Sequence, residues 1–438
     1  MKNMLKVAKF GGSSVADAEQ FAKVKNIVLS DSMRKYVVIS ASGKKGSNEN
    51  KITDLLYLCF AHIKYSVNCE NVWSMIEERF LTIKKELNLH YPIEDELNKI
   101  KSQLIKGISE DYLVSRGEYL TALLMAEYLG YNFIDAKDVI KFDYSGKIDF
   151  NRSYDALMEA TKDGTQFVIP GFYGSLPNGE IKTLTRGGSD ITGAIIAKLI
   201  NAALYENWTD VSGILIADPR IVKEPKQIKY ITYEELRELS YMGANVLHEE
   251  AIFPVMEANI PLHILNTNDP INEGTIIVES DDNEKAAITG VAGKKNFSVI
   301  TIYKKHMSDE VGIVRKALSV MEKYGVSIEH IPSGIDSFSI VVETEQIKNA
   351  KYDIVVDIKD ETNADSVKVI DDIALIAVVG VNMVNQVGIS GRLFNVLGQN
   401  NINIRMIAQG SDEITIIIGV ENKDFDGAIQ AIYKEFVD

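Results

Sequence analysis

Lys9-Phe10-Gly11-Gly12-Ser13-Ser14-Val15 places a cation, two glycines and two hydroxyls directly after a short apolar run containing Leu5, Val7 and Ala8. This order reads as strand, glycine turn and helix, the helix covering about 17–29. Glycines let a backbone approach a ligand closely, and unpaired N–H groups at a helix N-terminus attract anions. Lys9, at the end of the strand, adds a mobile point charge. The segment is a candidate phosphate cradle, although it matches neither the GxxxxGK[ST] nor the GxGxxG pattern. An ordinary strand-to-helix turn would have the same outline.

Four further stretches carry groups of the same kind. Ser40-Ala41-Ser42-Gly43 follows the strand-like run 36–40, and Thr53-Asp54 lies near the next helix start. The loop between them, 43–50, holds two lysines and no apolar residue and is expected to be mobile. Arg116-Gly117-Glu118 reads as leading into a helix. Thr185-Arg186-Gly187-Gly188-Ser189-Asp190 precedes the helical 191–199. There Ser189 or Asp190 can cap the helix, and Arg186 can grip a carboxylate. Capping alone would account for Asp190. In Trp208-Thr209-Asp210-Val211-Ser212-Gly213, continuing to Ala217-Asp218-Pro219-Arg220, the Thr, Asp and Arg suit a nucleotide's base, ribose and phosphates, or simply Asx and proline turns.

Two glycine turns with Lys, Arg and Asp fit phosphoryl transfer best, a reaction that needs positioning and charge stabilisation above all. A carboxylate acceptor is already ionised at neutral pH and requires no general base. The motifs accordingly contain no histidine, and His248 and His263, near the end of this region, read as structural or peripheral.

The elements that must hold these loops follow from the apolar pattern. Up to about residue 290, strand-like runs (36–40, 167–170, 203–206) alternate with helical ones such as 121–129. That texture predicts an α/β sheet covered on both faces, with ligand loops beyond the carboxyl ends of its strands. After 290 the chain repeats itself. Residues 311–342 align without a gap onto 387–418, so that Val311-Gly312-Ile313 meets Val387-Gly388-Ile389, and strand-like 297–303 meets 373–379. Each copy suggests a small βαββαβ module, and two similar faces can serve a ligand or a partner subunit.

The bulk properties bound the function. With 438 residues, about two to four domains are expected. A net charge of −15 argues against general nucleic-acid binding or an anionic membrane surface. Cys59 and Cys69 form neither a disulfide framework nor a metal-ligand spacing and are expected to pack in a helical region. No membrane-spanning apolar run or secretory h-region is evident, so a cytoplasmic location is expected.

Together the motifs resemble those of aspartate kinases. The matching pieces are 9–15, 116–118, 185–190, Trp208-Thr209-Asp210-Val211, Asp218-Pro219-Arg220 and Gly243-Ala244-Asn245-Val246-Leu247-His248. The duplicated 295–438 region resembles the paired ACT domains of that family. The resemblance implies an amino acid kinase-like three-layer α/β/α sandwich with an open, mostly parallel sheet at 1–290. Ferredoxin-like ACT domains would follow at 291–370 and 371–438, with strands that could be exchanged between them. It implies phosphorylation of the β-carboxylate of L-aspartate by ATP with Mg²⁺, the first step toward lysine, threonine, methionine and diaminopimelate. Lys9 would neutralise the migrating phosphoryl group, and Asp190 would organise that lysine and the acceptor site. Gly11, Gly12, Ser13, Gly188 and Ser189 would hold phosphates, while Thr209, Asp210 and Arg220 would face ATP. Glu118 would meet the substrate's amino group and Arg186 its α-carboxylate, with Thr53 and Ser42 helping to seat it. Two positions depart from the family pattern. Leu215 stands where many relatives have Tyr, and Asn245 where they have Lys, leaving Asn245 as a weaker nucleotide contact.

For the second half, the resemblance implies feedback by an end-product amino acid, lysine first and threonine second, bound between ACT modules of a homodimer or higher homo-oligomer. Met307, Ser308, Asp309, Gly312, Ile313 and Val314 form the first loop, with Glu329 and Ser333 on the following strand region. Asn382, Met383, Gln386, Val387 and Gly388 form the loop of the second copy. These loops could instead only build a dimer face. No homoserine dehydrogenase extension follows, which reads as monofunctional. Two other readings compete: a kinase for another small carboxylate, and a catalytically inactive amino-acid sensor. Intact Lys9, Glu118, Arg186 and Asp190 speak against the sensor.

Overall fold

The computed structural model describes residues 4–46, 49–185, 187–244, 247, 249–280, 287–410 and 412–437. The chain divides into two compact units. The first comprises Met1–Ile214, Gln227–Tyr233 and Val246–Asp281; the second comprises Leu215–Lys226, Glu234–Asn245 and Asp282–Asp438.

The first unit is built on one sheet. Its strands run Tyr230–Thr232, Thr275–Val278, Leu262–Asn266, Leu204–Thr209, Lys6–Phe10, Arg34–Ile39, Phe167–Pro170 and Asn132–Phe133. All neighbours are parallel except Leu262–Asn266 with Thr275–Val278. Val7, Ala8, Phe10, Val37, Val38 and Ile39 are fully buried, as strands covered by helices on both faces require. In register, Lys9 stands between Val38 and Asn207, and Phe10 between Ile39 and Trp208. The turns after these strands therefore leave the sheet along one edge, where open α/β sheets place ligands.

The Ala18–Leu29 helix opens with Asp17, whose carboxylate accepts the Gln20 N–H at 2.9 Å. A short 3₁₀ turn, Gly12–Val15, separates it from the first strand. The Arg116-Gly117-Glu118 stretch does not lead into a helix; it lies inside one, Glu110–Leu129. Ser109 starts that helix upstream by accepting the Tyr112 N–H, and Gly130 at φ 71° ends it. This helix buries residues all round, so Arg116, Gly117 and Glu118 are held within packed surroundings.

The second unit holds a five-stranded antiparallel sheet ordered Ser337–Glu343, Gly290–Tyr303, Ser366–Val379, Thr415–Glu421, Met406–Gln409. Two of its strands serve both copies of the repeat. In Gly290–Tyr303, residues 290–294 pair with 375–379, while 297–303 pair with Ser337–Glu343 and with 366–373. The register slips between these parts, near Asn296 and Asp372 with their positive φ angles. The first copy is thus inserted between the opening strand of the second and the rest of it. Separate apolar cores follow. One gathers Ile300, Phe338, Ile340 and Ile354; the other gathers Val291, Ile376, Leu393 and Ile432 and takes Ala217 and Val222 from the Leu215–Lys226 segment. Buried Glu235 joins this unit by accepting the Thr289 hydroxyl at 2.6 Å and the Val381 N–H at 2.9 Å.

Candidate active site and regulatory loops

At the carboxyl edge of the parallel sheet, buried Lys9 forms an ion pair with half-buried Asp190. Asn207 fixes both members. Its Nδ2–H donates to the same Asp190 oxygen at 2.9 Å, and its Oδ1 lies 3.5 Å from Lys9 Nζ. The capping alternative for Asp190 does not hold. The Gly188–Leu199 helix follows Gly187 at φ 77° without a side-chain cap, which leaves the Asp190 carboxylate for Lys9. A largely buried pair of this kind is a weak source of stability, because desolvation offsets the Coulomb attraction. Its value is a cation fixed in place.

Around that cation lie two backbone cradles. Gly11 N–H donates to Trp208 O and Ser14 N–H to Gly11 O, each at 3.0 Å. Among the described residues, the N–H groups of Gly12 and Ser13 meet no acceptor, and neither do those of Gly188 and Ser189. The unpaired N–H groups of the first motif therefore belong to the 3₁₀ turn, since the longer helix carries its own carboxylate cap at Asp17.

The 40–43 loop is tied to this turn by backbone. Gly43 N–H donates to Gly12 O at 2.9 Å, and a Cβ on Gly12 would stand 2.9 Å from the Ala41 carbonyl oxygen. Only glycine allows the two loops to touch so closely. Ser42 is fully buried, its hydroxyl donating to Ala16 O at 3.1 Å and its N–H donating to Thr121 Oγ1 at 3.2 Å. Thr53 is half-buried in the first turn of Ile52–Lys64, whose leading N–H, from Ile52, donates to Ser42 O at 3.1 Å.

Glu118 is 5% exposed, and its Oε2 has no hydrogen-bond partner. Burial pushes its pKa up to about 8, against the opposing pull of backbone hydrogen bonds at Glu118 and Ala41 and the charge of Arg116. Arg116 is itself buried, packed over the rings of Tyr112, Tyr119 and Tyr173 at 4.5–5.3 Å. A buried carboxyl with an idle oxygen can receive a cation that arrives with a ligand.

Thr209 and Asp210 end the Leu204–Thr209 strand on the same edge, Thr209 Oγ1 donating to Asp210 at 3.2 Å. Arg220 belongs to the second unit, where it is exposed and forks onto Asp218 at 2.6–3.0 Å. Arg186, Asn245 and His248 lie outside the described residues. His263 is structural in its contacts, one ring nitrogen sitting 2.6 Å from the Glu273 carbonyl. Among the described residues, no group of three or more His, Cys, Asp or Glu side chains could hold a metal. No described helix is long and apolar enough to cross a membrane.

Two residues escaped sequence reasoning. Asn207 had a detectable trace, a neutral amide within an otherwise buried strand. Arg79 had none, being one basic residue in an ordinary amphipathic helix.

In the second unit both repeat loops end at a left-handed glycine that opens a helix, Gly312 before Ile313–Lys323 and Gly388 before Ile389–Gln399. Met307 and Met383 are buried beneath their loops, while Val311 and Val387 stand fully exposed at the tips. Ser308 and Asp309 are exposed beside Val311, Val314 follows Ile313 in the helix, and Ser333 bridges Phe338. Glu329 accepts the Tyr241 hydroxyl at 2.7 Å. In the second copy, Met383, Gln386, Gly388, Gln409 and Glu413 line a cavity of about 510 Å³. Asn382 lies in the same turn, Val381–Asn385.

A parallel sheet with glycine-opened anion cradles around a fixed lysine, followed by paired antiparallel modules, defines a small-molecule phosphotransferase with attached regulatory domains. The sequence matches the Amino acid kinase family over residues 4–266 and an ACT domain over 376–436. It is 38% identical to Aspartokinase 3 of Bacillus subtilis (strain 168) over 448 residues, covering 99% of this chain and 98% of that protein. The crystal structure of Clostridium acetobutylicum aspartate kinase superposes with a TM-score of 0.93 at 51% identity, covering 99% of this chain and all of that one. E. coli aspartokinase III, solved with aspartate and ADP and again with lysine and aspartate, gives 0.75 at 26% identity over 99% of this chain and 100% of each of those. The chain belongs to the aspartate kinase family. It is an enzyme of the aspartokinase type, using ATP and carrying ACT modules for allosteric regulation.

Proposed function

We propose that the protein transfers the γ-phosphoryl group of ATP to the β-carboxylate of L-aspartate, giving 4-phospho-L-aspartate and ADP. The observation that carries this reading is the pairing of two unlike halves. One is a fixed cation among open backbone N–H groups; the other is a buried carboxyl, Glu118, with an idle oxygen. The first suits phosphates, and the second suits the ammonium of an amino acid.

In this reading Gly11, Gly12, Ser13, Gly188 and Ser189 hold the phosphates, and Thr209 and Asp210 serve the nucleotide. Glu118 accepts the substrate ammonium and gives up its proton on binding. Arg186 takes the α-carboxylate, and Thr53 and Ser42 shape the remaining wall. An oxygen of the β-carboxylate forms the new P–O bond while the bond to the β-phosphate bridging oxygen breaks, and ADP leaves with that electron pair. Lys9, restrained by Asp190 and Asn207, offsets charge on the transferring group, and the transfer step itself moves no proton, that of Glu118 having gone to solvent on binding.

Mg²⁺ fits this donor set as an ion held through phosphate oxygens, with Asp210, exposed at the rim, as the available carboxylate. When bound it supplies charge neutralisation between the phosphates.

The product stands at the first step toward lysine, threonine, methionine and diaminopimelate. Feedback by lysine, with threonine second, is supported by the lysine complex of E. coli aspartokinase III and by the polar cavity around Gln386, Gln409 and Glu413. Exposed Val311, Val387, Ile335 and Ile407 support assembly of a homodimer or larger homo-oligomer through the ACT modules. The test is trapping of the acyl phosphate with hydroxylamine. Hydroxamate should form only with ATP and aspartate together, and its formation should fall on adding lysine. Formation with another carboxylate but not with aspartate would overturn the substrate assignment.

A further inference from the structure

Arg79 lies on the Glu70–Glu86 helix, outside every motif that points to chemistry, yet its guanidinium reaches both halves of the site. It donates to Gly43 O at 2.7 Å, and to Ala16 O and Ser42 Oγ at 3.4 Å each. Its remaining arm pairs with Glu49 at 2.8 Å. Ala16 closes the phosphate turn, and Ser42-Gly43 is the loop that touches Gly12 and leads to the Thr53 helix. One planar fork thus binds the end of the phosphate turn, the amino-acid loop and the far end of the 43–50 segment. Lys45 closes the near end, its Nζ meeting Asp17 at 3.3 Å and its N–H donating to Glu49 at 3.1 Å. With a side chain only 18% exposed, Arg79 is ordered by these contacts and is not a solvated surface charge.

We propose that Arg79 is a positioning residue for phosphoryl transfer, setting the distance between the acceptor loop and the phosphate turn. The inference rests on the functional reading above. It follows from geometry, because Gly12 and Gly43 already meet at backbone contact and nothing else among the described residues bonds to both Ala16 and Gly43. A lysine has one compact donor group and cannot hold the Ala16, Ser42 and Gly43 acceptors with one arm while a second arm pairs with Glu49.

The test uses the full chain with Arg79→Ala, Arg79→Lys and Glu49→Gln, reading kcat and KM by hydroxamate trapping. Arg79→Ala should lose about 30-fold in kcat/KM, mainly in kcat, because a small misplacement of reacting groups costs rate more than binding. Millimolar guanidinium should restore part of that loss without accelerating the parent, which a purely structural role would not allow. Should Arg79→Ala fail to fold, Arg79→Lys carries the test and should lose about fivefold or more, since charge without the fork is insufficient. Glu49→Gln, which leaves the carbonyl contacts intact, should cost less than either. An Arg79 variant within about twofold of the parent, or a loss that guanidinium does not reverse, overturns the positioning role. A parent enzyme that traps no hydroxamate overturns the functional reading instead, so the two failures are distinguishable.

Discussion

The parallel-sheet unit and the antiparallel repeat unit both present loops at glycines that open helices, but they treat charge in opposite ways. In the first, Lys9, Asn207 and Glu118 are withdrawn from water, and Lys9 and Asn207 are locked to half-buried Asp190. In the second, the corresponding loops are exposed. Glu310 of the first copy pairs with Lys304 and with Lys316, the latter at 3.1 Å, where the second copy has Gln386, Gly380 and Arg392. The contrast is that of preorganisation against responsiveness. Phosphoryl transfer gains when dipoles and charges need not rearrange, whereas a regulatory loop must change state for about 1–3 kcal/mol of coupling.

The largest effect should come from the locked cation. Lys9→Met is expected to lower kcat by about 10²-fold or more, with the fold retained by circular dichroism. A loss confined to KM would mean that the buried lysine only binds.

Next comes the idle carboxyl. Glu118→Gln should raise KM for aspartate by about 10–100-fold, the worth of one hydrogen bond to a charged group. It should also flatten the pH dependence of stability. In the folded parent Glu118 keeps its proton up to about 8, well above the ordinary carboxylate range. The stability contributed by that neutral form is complete below the unfolded pKa and is lost as pH rises through about 8. Between pH 5 and pH 8 the parent should therefore lose about 2–4 °C more in Tm than Glu118→Gln. Equal slopes would place Glu118 in a wetter setting than the structure gives it.

The regulatory loops should respond more modestly. Gly388 sits at φ 93°, where a side chain is strained, so Gly388→Ala should raise the half-inhibitory concentration of lysine by about tenfold. Glu310→Gln, which makes the first copy more like the second, should shift it by about threefold or less. If the order of these two reverses, the first copy is the more sensitive loop.

Much of the sheet's carboxyl edge is legible in the sequence because its signals are local. Glycines beside Lys9 and Asp190 mark turns, and the offset between Val311-Gly312 and Val387-Gly388 marks a repeat. What was illegible depends on distant partners. Glu118 was read as preceding a helix because the true start, Ser109, carries no chemistry. Asn207 matters only because the strand register sets it beside Lys9. Arg79 matters only because its helix passes the Ala16 and Gly43 carbonyls. The insertion of one repeat copy into the other rests on the pairing of 290–294 with 375–379, which no local periodicity encodes.

Glu118, its pKa pushed up to about 8 by burial, should be neutral in the free enzyme at pH 7 and ionise as it receives the substrate ammonium. Calorimetry of aspartate binding at pH 7, with a non-hydrolysable ATP analogue present and in two buffers of different ionisation enthalpy, counts the protons exchanged. About one proton should be released per site in the parent and none in Glu118→Gln, whose binding should also be weaker. Binding by the parent with no proton release, or equal release by both proteins, would contradict the account.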